Sequence, residues 1–277
     1  MATLVVSFSG GATSGMMACI CKRDYKDMGY DRVIFVLMNT GEEDEETLQF
    51  ADKCDREFGL NLVWLEAVVI HEAGKGTQHR VVDFASASRN GEPFEQAIKK
   101  FGIPNKHYPH CTRELKQRPF YSYLRSLGLK KGDYRVAIGI RYDELDRMSS
   151  RRKEDGIEYP LIDKKITKPI VGNFWSLQSF RLNLAEHRGN CKTCWKKSFK
   201  KLDIIRHEEP SRFAFNARME AAYPYAGPGS HDGPRHFFRG NRSTADVLAG
   251  NFPGASEGYE HETDTGCGES CEVFADD

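Results

Sequence analysis

TLVVSFSGGATSG, residues Thr3 to Gly15, decides how the rest of the chain is read. Thr3 to Phe8 is a short apolar run of the kind that forms a buried strand, and it ends abruptly in a glycine-rich turn. A helical segment follows from Ser14 to about Asp27. Two adjacent glycines let backbone amides converge on an anion without side chains in the way. The helix behind them adds about half an elementary positive charge at its N-terminus. Ser9, Thr13 and Ser14 bring hydroxyl donors, and Ser7 adds one from the strand end. Standing alone, a glycine pair is usually only a turn. Its place between the first strand and the first helix favours phosphate binding.

Outward from this loop the pattern repeats. Arg32 to Met38 (RVIFVLM) reads as a second buried strand closed by Asn39-Thr40-Gly41, and Glu42 to Phe58 as an amphipathic helix with acids in its first turn. Leu60 to Val69 and Tyr134 to Ile140 are two more strand candidates. Helices are expected over Pro93 to Phe101, Thr112 to Leu127 and Val171 to Leu184. Strands alternating with helices imply an α/β fold: a parallel twisted sheet with flanking helices. The chain divides into an α/β domain carrying the glycine loop (1–185), a cysteine-bearing helical segment (186–221) and an irregular Gly/Pro-rich stretch ending in an acidic tail (222–277).

Composition bounds the class. Of 277 residues, 39% are hydrophobic and 29% charged, as in globular proteins. No run approaches the roughly 18 apolar residues that span a bilayer, and the N-terminus lacks the features of a signal peptide, so the chain reads as cytoplasmic with no membrane partner. The formal net charge of zero is unevenly placed. Nine carboxylates and no lysine or arginine follow Arg242, so the first 242 residues carry a net charge of +9. A basic body suits phosphorylated ligands or a nucleic-acid substrate; a solvated surface with an acidic solubility tail explains it equally well.

Eight cysteines in such a chain point to metal binding or thiol chemistry before disulfides. Cys19, Cys21 and Cys54 fall in helical patterns as small buried hydrophobes. Cys191 and Cys194 form a CxxC flanked by a turn and by Lys192, Lys196 and Lys197, which lower thiol pKa values. That spacing suits zinc, an iron–sulfur cluster or a redox disulfide. No strand precedes it, unlike a thioredoxin motif. The lysines, with Lys200 and Lys201, would neutralise a cluster or grip a nucleic-acid backbone, and a solvated helix face is the plain alternative.

These residues carry a resemblance. SFSGGATSG resembles the SGGxxS pyrophosphate loop of the PP-loop ATP pyrophosphatases and the phosphoadenosine phosphosulfate (PAPS) reductase family, with Thr13 where an aspartate is usual. Asn39-Thr40-Gly41, with Thr47 beyond, is similar to the family's DTG…T. Gly139-Ile140-Arg141 with Glu144 is similar to its GxRxxES, Leu145 replacing the serine and Arg147 falling one position short of the second arginine. Pro160 to Asp163 matches PLID. Cys111-Thr112-Arg113-Glu114-Leu115-Lys116-Gln117-Arg118-Pro119 resembles the CCxxxKxxPL of the iron–sulfur sulfonucleotide reductases, Thr112 standing for the second cysteine, and as in those enzymes a CxxC follows about eighty residues later. The likeness runs from Thr3 to about Pro210 and is strongest to compact phage-type members.

The resemblance implies a Rossmann-like fold of the adenine nucleotide alpha-hydrolase type. It implies an adenine nucleotide, ATP or a relative and with Mg2+ allowed, held by Ser7, Ser9, Gly10, Gly11, Thr13, Ser14, Asn39, Thr40, Gly139 and Arg141. It implies a [4Fe–4S] cluster on Cys111, Cys191 and Cys194, three thiolates that leave one iron open unless His110 or a tail cysteine closes it. Lys116, Arg141, Arg147 and Cys267 are the expected catalytic residues. The first expectation is an ATP-dependent sulfurtransferase: adenylation of a substrate, then sulfur transfer. The second is a sulfonucleotide reductase that releases sulfite through Cys267, and the third a non-catalytic nucleotide or metal sensor. The sulfur donor, the acceptor and the oligomeric state are not named by the sequence, and a homo-oligomer is compatible with it.

Overall fold

A computed structural model describes residues 2–72, 74–229 and 233–252. Its centre is a six-stranded sheet of β1 (Thr3–Phe8), β2 (Arg32–Asn39), β3 (Val63–Val68), β4 (Gln78–Val82), β5 (Tyr134–Ala137) and β6 (Ile157–Glu158), in the spatial order β4-β3-β2-β1-β5-β6. All neighbours are parallel except β3 and β4. The fold is therefore α/β, as its alternating pattern requires. The antiparallel edge strand β4 has no apolar face, since it reads QHRVV with most residues exposed or half-exposed, so hydropathy does not reveal it.

Helices cover both faces. α1 (Ala12–Asp24), α2 (Glu45–Phe58), α3 (Glu92–Phe101), α4 (Arg118–Ser126), the single turns α5 (Arg152–Asp155) and α6 (Pro160–Asp163), α7 (Lys168–Ser176), α8 (Phe199–Glu208), α9 (Ala214–Ala222) and α10 (Thr244–Ala249) follow in chain order. The period of two along β1 sorts its side chains. Leu4, Val6 and Phe8 join the core built with α1, α2 and α7, while Val5 joins the one on the opposite face with Phe120 and Leu124 of α4. A third core sits beyond the strand ends. Phe94 and Ile98 of α3, Trp195, Leu202 and Ile205, Phe213, Phe215 and Met219, and Phe237, Phe238 and Val247 close on one another there.

Four expectations change. Residues 233–252, read as part of an irregular extension, bury Phe237 and Phe238 and form α10, capped by a reciprocal Ser243–Asp246 pair. The helix read over Glu42 to Phe58 begins only at Glu45, because Glu42, Glu43 and Asp44 form a buried loop before it. The helix read to Leu184 ends at Ser176. The helix read from Thr112 opens as a π-turn, Arg113–Gln117, with Arg118 N–H donating to the Arg113 carbonyl. Pro119 sits at the start of α4 and lacks the amide that would continue a regular ladder, which favours such a widened turn.

Candidate functional site: two adjoining cavities

β1 is the strand at which the sheet changes direction. β2 and β3 follow to one side and β5 to the other, which opens a crevice at the carboxyl ends of β1 and β5. The loop after β1 and the segment after β5 meet there. A Cβ added to Gly139 would lie 3.3 Å from Ser14 Cα, so a side chain at 139 would press the two loops apart. The resulting cleft is lined by Ser9 to Ser14, Thr47, Lys116, Gly139, Arg141, Glu144 and Arg147, and on its far side by Leu182, Leu184, Glu186, Gly189, Asn190 and Lys201.

The loop is braced from within. Ser14 Oγ donates to the Gly11 carbonyl (3.0 Å) and accepts from both Ser9 Oγ (2.9 Å) and Ser9 N (3.2 Å). These two hydroxyls, expected to face a ligand, thus hold the loop's shape. No side chain caps the first turn of α1, which leaves its amides directed at the cleft. Gly10 adopts φ +79, and a Cβ there would lie 2.5 Å from Thr47 Cγ2. Gly11 has an ordinary φ of −89 and room around it. Arg141 and Arg147 both reach the cleft, each tied to acids: Arg141 to Asp143 (3.0 Å) and Glu144 (3.4 Å), Arg147 to Glu144 (2.5 Å).

Three of the residues expected to hold the nucleotide lie away from the cleft. Asn39 is buried and donates to Glu66 (2.6 Å) and to the Ser88 carbonyl (2.9 Å). Thr40 binds Glu43 through its amide (2.9 Å) and its hydroxyl (2.8 Å), and its Oγ1 lies 3.6 Å from Cys191 Sγ. Ser7 lies within β1, and neither it nor Asn39 or Thr40 lines the cleft.

Thr40 instead opens onto a second cavity. Cys111, Cys191 and Cys194 line that cavity together with Thr112, Lys116 and Trp195. Three thiols separated by eighty residues of chain thus ring one space. Among the described residues, no three His, Cys, Asp or Glu side chains converge as ligands of one metal ion. A four-iron cluster sets a different requirement, since each thiolate binds its own iron and the ligands surround the group rather than meet at a point. Among the described residues, two buried donors at the cavity, the Thr112 hydroxyl and the Trp195 indole N–H, have no hydrogen-bond partner. Orphaned donors of this kind cost of the order of 1–3 kcal/mol each unless an acceptor fills the space.

His110 is not in this ring. Its Nε2 lies 2.9 Å from the Gly102 carbonyl, and burial pushes its pKa down to about 4. Cys19, Cys21 and Cys54 lie in α1 and α2, where burial raises each thiol pKa, Cys21 to about 12, as expected of inert packing residues. The lysines near the CxxC do not form one solvated face. Lys197 is fully buried and its ammonium donates to the carbonyls of His187 (3.0 Å) and Gly189, shaping the turn before Cys191. Cys267 lies outside the described residues.

The two cavities share a wall. Lys116, carried on the π-turn, lines both. Gly189 and Asn190 face the cleft while the next residue, Cys191, faces the thiol cavity, and the Thr40–Glu43 bond spans the two from the other side. Glu42, which sequence reading placed in a helix, also lines the thiol cavity. It is 3% exposed, and burial lifts its carboxyl pKa to about 7 despite the nearby Lys192.

No protein-family model matches the chain. It is 30% identical to the uncharacterized nin region protein ORF290 of Escherichia phage lambda over 284 aligned positions, which cover 98% of this chain and 94% of that protein. Two proteins of Methanocaldococcus jannaschii, uncharacterized proteins MJ0973 and MJ0066, are 27% and 25% identical over 57% and 54% of the chain. The matched parts are only 32% and 25% of those archaeal proteins, so the likeness spans a fraction of their length.

Proposed function

We propose, for a chain that belongs to the family of the phage lambda nin region protein ORF290, an ATP-dependent sulfurtransferase of the PP-loop and PAPS reductase type with a [4Fe–4S] cluster. One observation carries the reading: a cleft at the switch point of the sheet and a cavity ringed by three thiols meet at Lys116. Adenylation chemistry and sulfur chemistry need that adjacency, because an activated carbon must lie within reach of both leaving group and sulfur.

The roles follow from position. Backbone amides of Gly10 to Thr13 bind the pyrophosphate end of ATP, aided by the dipole of α1. Arg141 and Arg147, preset by Glu144, face the phosphates. A substrate oxygen attacks the α-phosphorus, pyrophosphate departs, and sulfur then displaces AMP from the adenylated carbon. Lys116, at the junction, holds positive charge beside the α-phosphate, where negative charge builds up in the transition state. Cys111, Cys191 and Cys194 would hold the cluster, which the orphaned Thr112 and Trp195 donors fit by offering hydrogen bonds to its sulfurs. When bound, such a cluster would supply an iron site at which a sulfur donor could be held beside the adenylated substrate. The net positive charge of the first 242 residues favours a nucleic-acid acceptor.

Anaerobic purification with iron and sulfide analysis, together with ATP calorimetry, tests this. About four irons with matching sulfide are expected, lost in each of Cys111→Ala, Cys191→Ala and Cys194→Ala. Stoichiometric zinc without sulfide would refute the cluster. No sulfite should form from PAPS, and sulfite production abolished in Cys267→Ser would make the protein a reductase instead.

A further inference from the structure

Of the five acids after Gly41, three are buried, and two of those are committed. Glu43 accepts from Thr40 through its amide and hydroxyl, and Asp44 pairs with Arg212. Glu42 differs. Its side chain is almost wholly buried and makes no close hydrogen bond or ion pair among the described residues; the cations Lys192, Arg218 and Arg212 act on it only at longer range. A carboxylate in that state is expensive to keep unless something in the cavity receives it. Its backbone is fixed to the cysteine loop, since Lys192 N–H donates to the Glu42 carbonyl (2.8 Å) and Lys192 directly follows Cys191.

Among the described residues lining the thiol cavity, Glu42 is the only carboxylate, and none is a histidine. Thr193 and Asn216 are hydrogen-bonded to each other. Thr112, at the position of the missing fourth cysteine, offers a neutral hydroxyl, a weaker iron ligand than an anionic oxygen. His110, the other candidate, is held at Gly102.

We propose that Glu42 is the fourth protein ligand of the thiol cavity, presenting a carboxylate oxygen to the iron that Cys111, Cys191 and Cys194 leave without a thiolate. The assignment rests on the cluster reading above. It gives the resting site a three-sulfur, one-oxygen ligand set, which a sulfur donor can enter by displacing a carboxylate rather than a cysteine. It also gives the buried Glu42 carboxylate a direct partner, where among the described residues it has only the longer-range attraction of Lys192, Arg218 and Arg212.

The test is Mössbauer spectroscopy of the full-length protein, purified anaerobically with 57Fe, as wild type, Glu42→Gln and Glu42→Cys. Circular dichroism and ATP affinity monitor folding. Wild type should show three like irons and one distinct site. The distinct site should shift in Glu42→Gln and merge with the other three in Glu42→Cys. Should the glutamine variant fail to fold, the cysteine variant decides by the same criterion. A four-iron cluster whose three-to-one pattern is unchanged in the folded variants overturns the ligand assignment alone. Wild-type protein without iron and sulfide overturns the cluster reading, and this assignment with it.

Discussion

Gly10 and Gly11 are neighbours with opposite requirements. Gly10 needs its hydrogen, because φ is +79 and a Cβ would strike Thr47 Cγ2 at 2.5 Å. Gly10→Ala should destabilise the fold by roughly 1–2 kcal/mol from the left-handed backbone alone, with more from the clash. Gly11 tolerates a side chain structurally, but the space beside its amide is the proposed phosphate seat. Gly11→Val should keep its melting temperature and lose ATP binding in calorimetry. A folded Gly11→Val with unchanged ATP affinity would remove the phosphate assignment. Lys197 is the third residue with a sharp expectation. Replacing its buried ammonium with methionine leaves the His187 and Gly189 carbonyls without their donor, at about 2–3 kcal/mol. Urea midpoints should show that loss, and anaerobic protein should retain less iron because the turn before Cys191 loosens.

At the level of elements, α7 is tied to the loop it backs. Trp175 of α7 donates its indole N–H to the Ala12 carbonyl (2.8 Å), and its ring meets Phe50 edge-on at 4.9 Å. Gly15 permits this approach, since a Cβ there would sit 2.9 Å from Trp175 Cζ2. Two variants separate the bond from the packing. Trp175→Phe keeps most of the ring and should cost about 1 kcal/mol for the lost hydrogen bond. Trp175→Ala opens the aromatic cluster with Phe50, Phe58 and Phe180 and should cost about 3–5 kcal/mol. Equal losses in denaturant titrations would mean that the bond to Ala12 dominates, against the packing argument.

Across the whole molecule, the sheet and the third core are joined through Asp44 and Arg212. The pair is almost fully buried, with Asp44 preceding α2 and Arg212 preceding α9. Arg212→Met strands the Asp44 carboxylate in the interior and should cost about 3–5 kcal/mol. The double variant Asp44→Leu with Arg212→Met removes both charges and should recover most of that loss. A double variant no more stable than the single one would show that the contact matters for shape rather than charge. Because this joint lies beside the Thr40–Glu43 link between the cavities, the single variant should also lower ATP affinity.

Local patterning was enough to give the α/β class, the glycine turn between β1 and α1, and the buried strands at the centre of the sheet. Short continuous apolar runs and a glycine pair at a strand end act over a few residues, where the chain's own stereochemistry dominates. The sequence also marked Cys111, Cys191 and Cys194 individually, and Lys116 through its family resemblance. Their convergence is a tertiary result, because the π-turn before Pro119 and the turn built around Lys197 are what carry them to one cavity. Glu42 shows the limit most clearly. In sequence it is one of five acids at a helix start and reads as a dipole-favoured surface residue. Only the folded chain, with Lys192 bound to its carbonyl and Phe94, Trp195 and Phe215 lining the same space, makes it a buried acid in the cavity that three thiols line. Long-range packing sets that burial, and no local spacing encodes it.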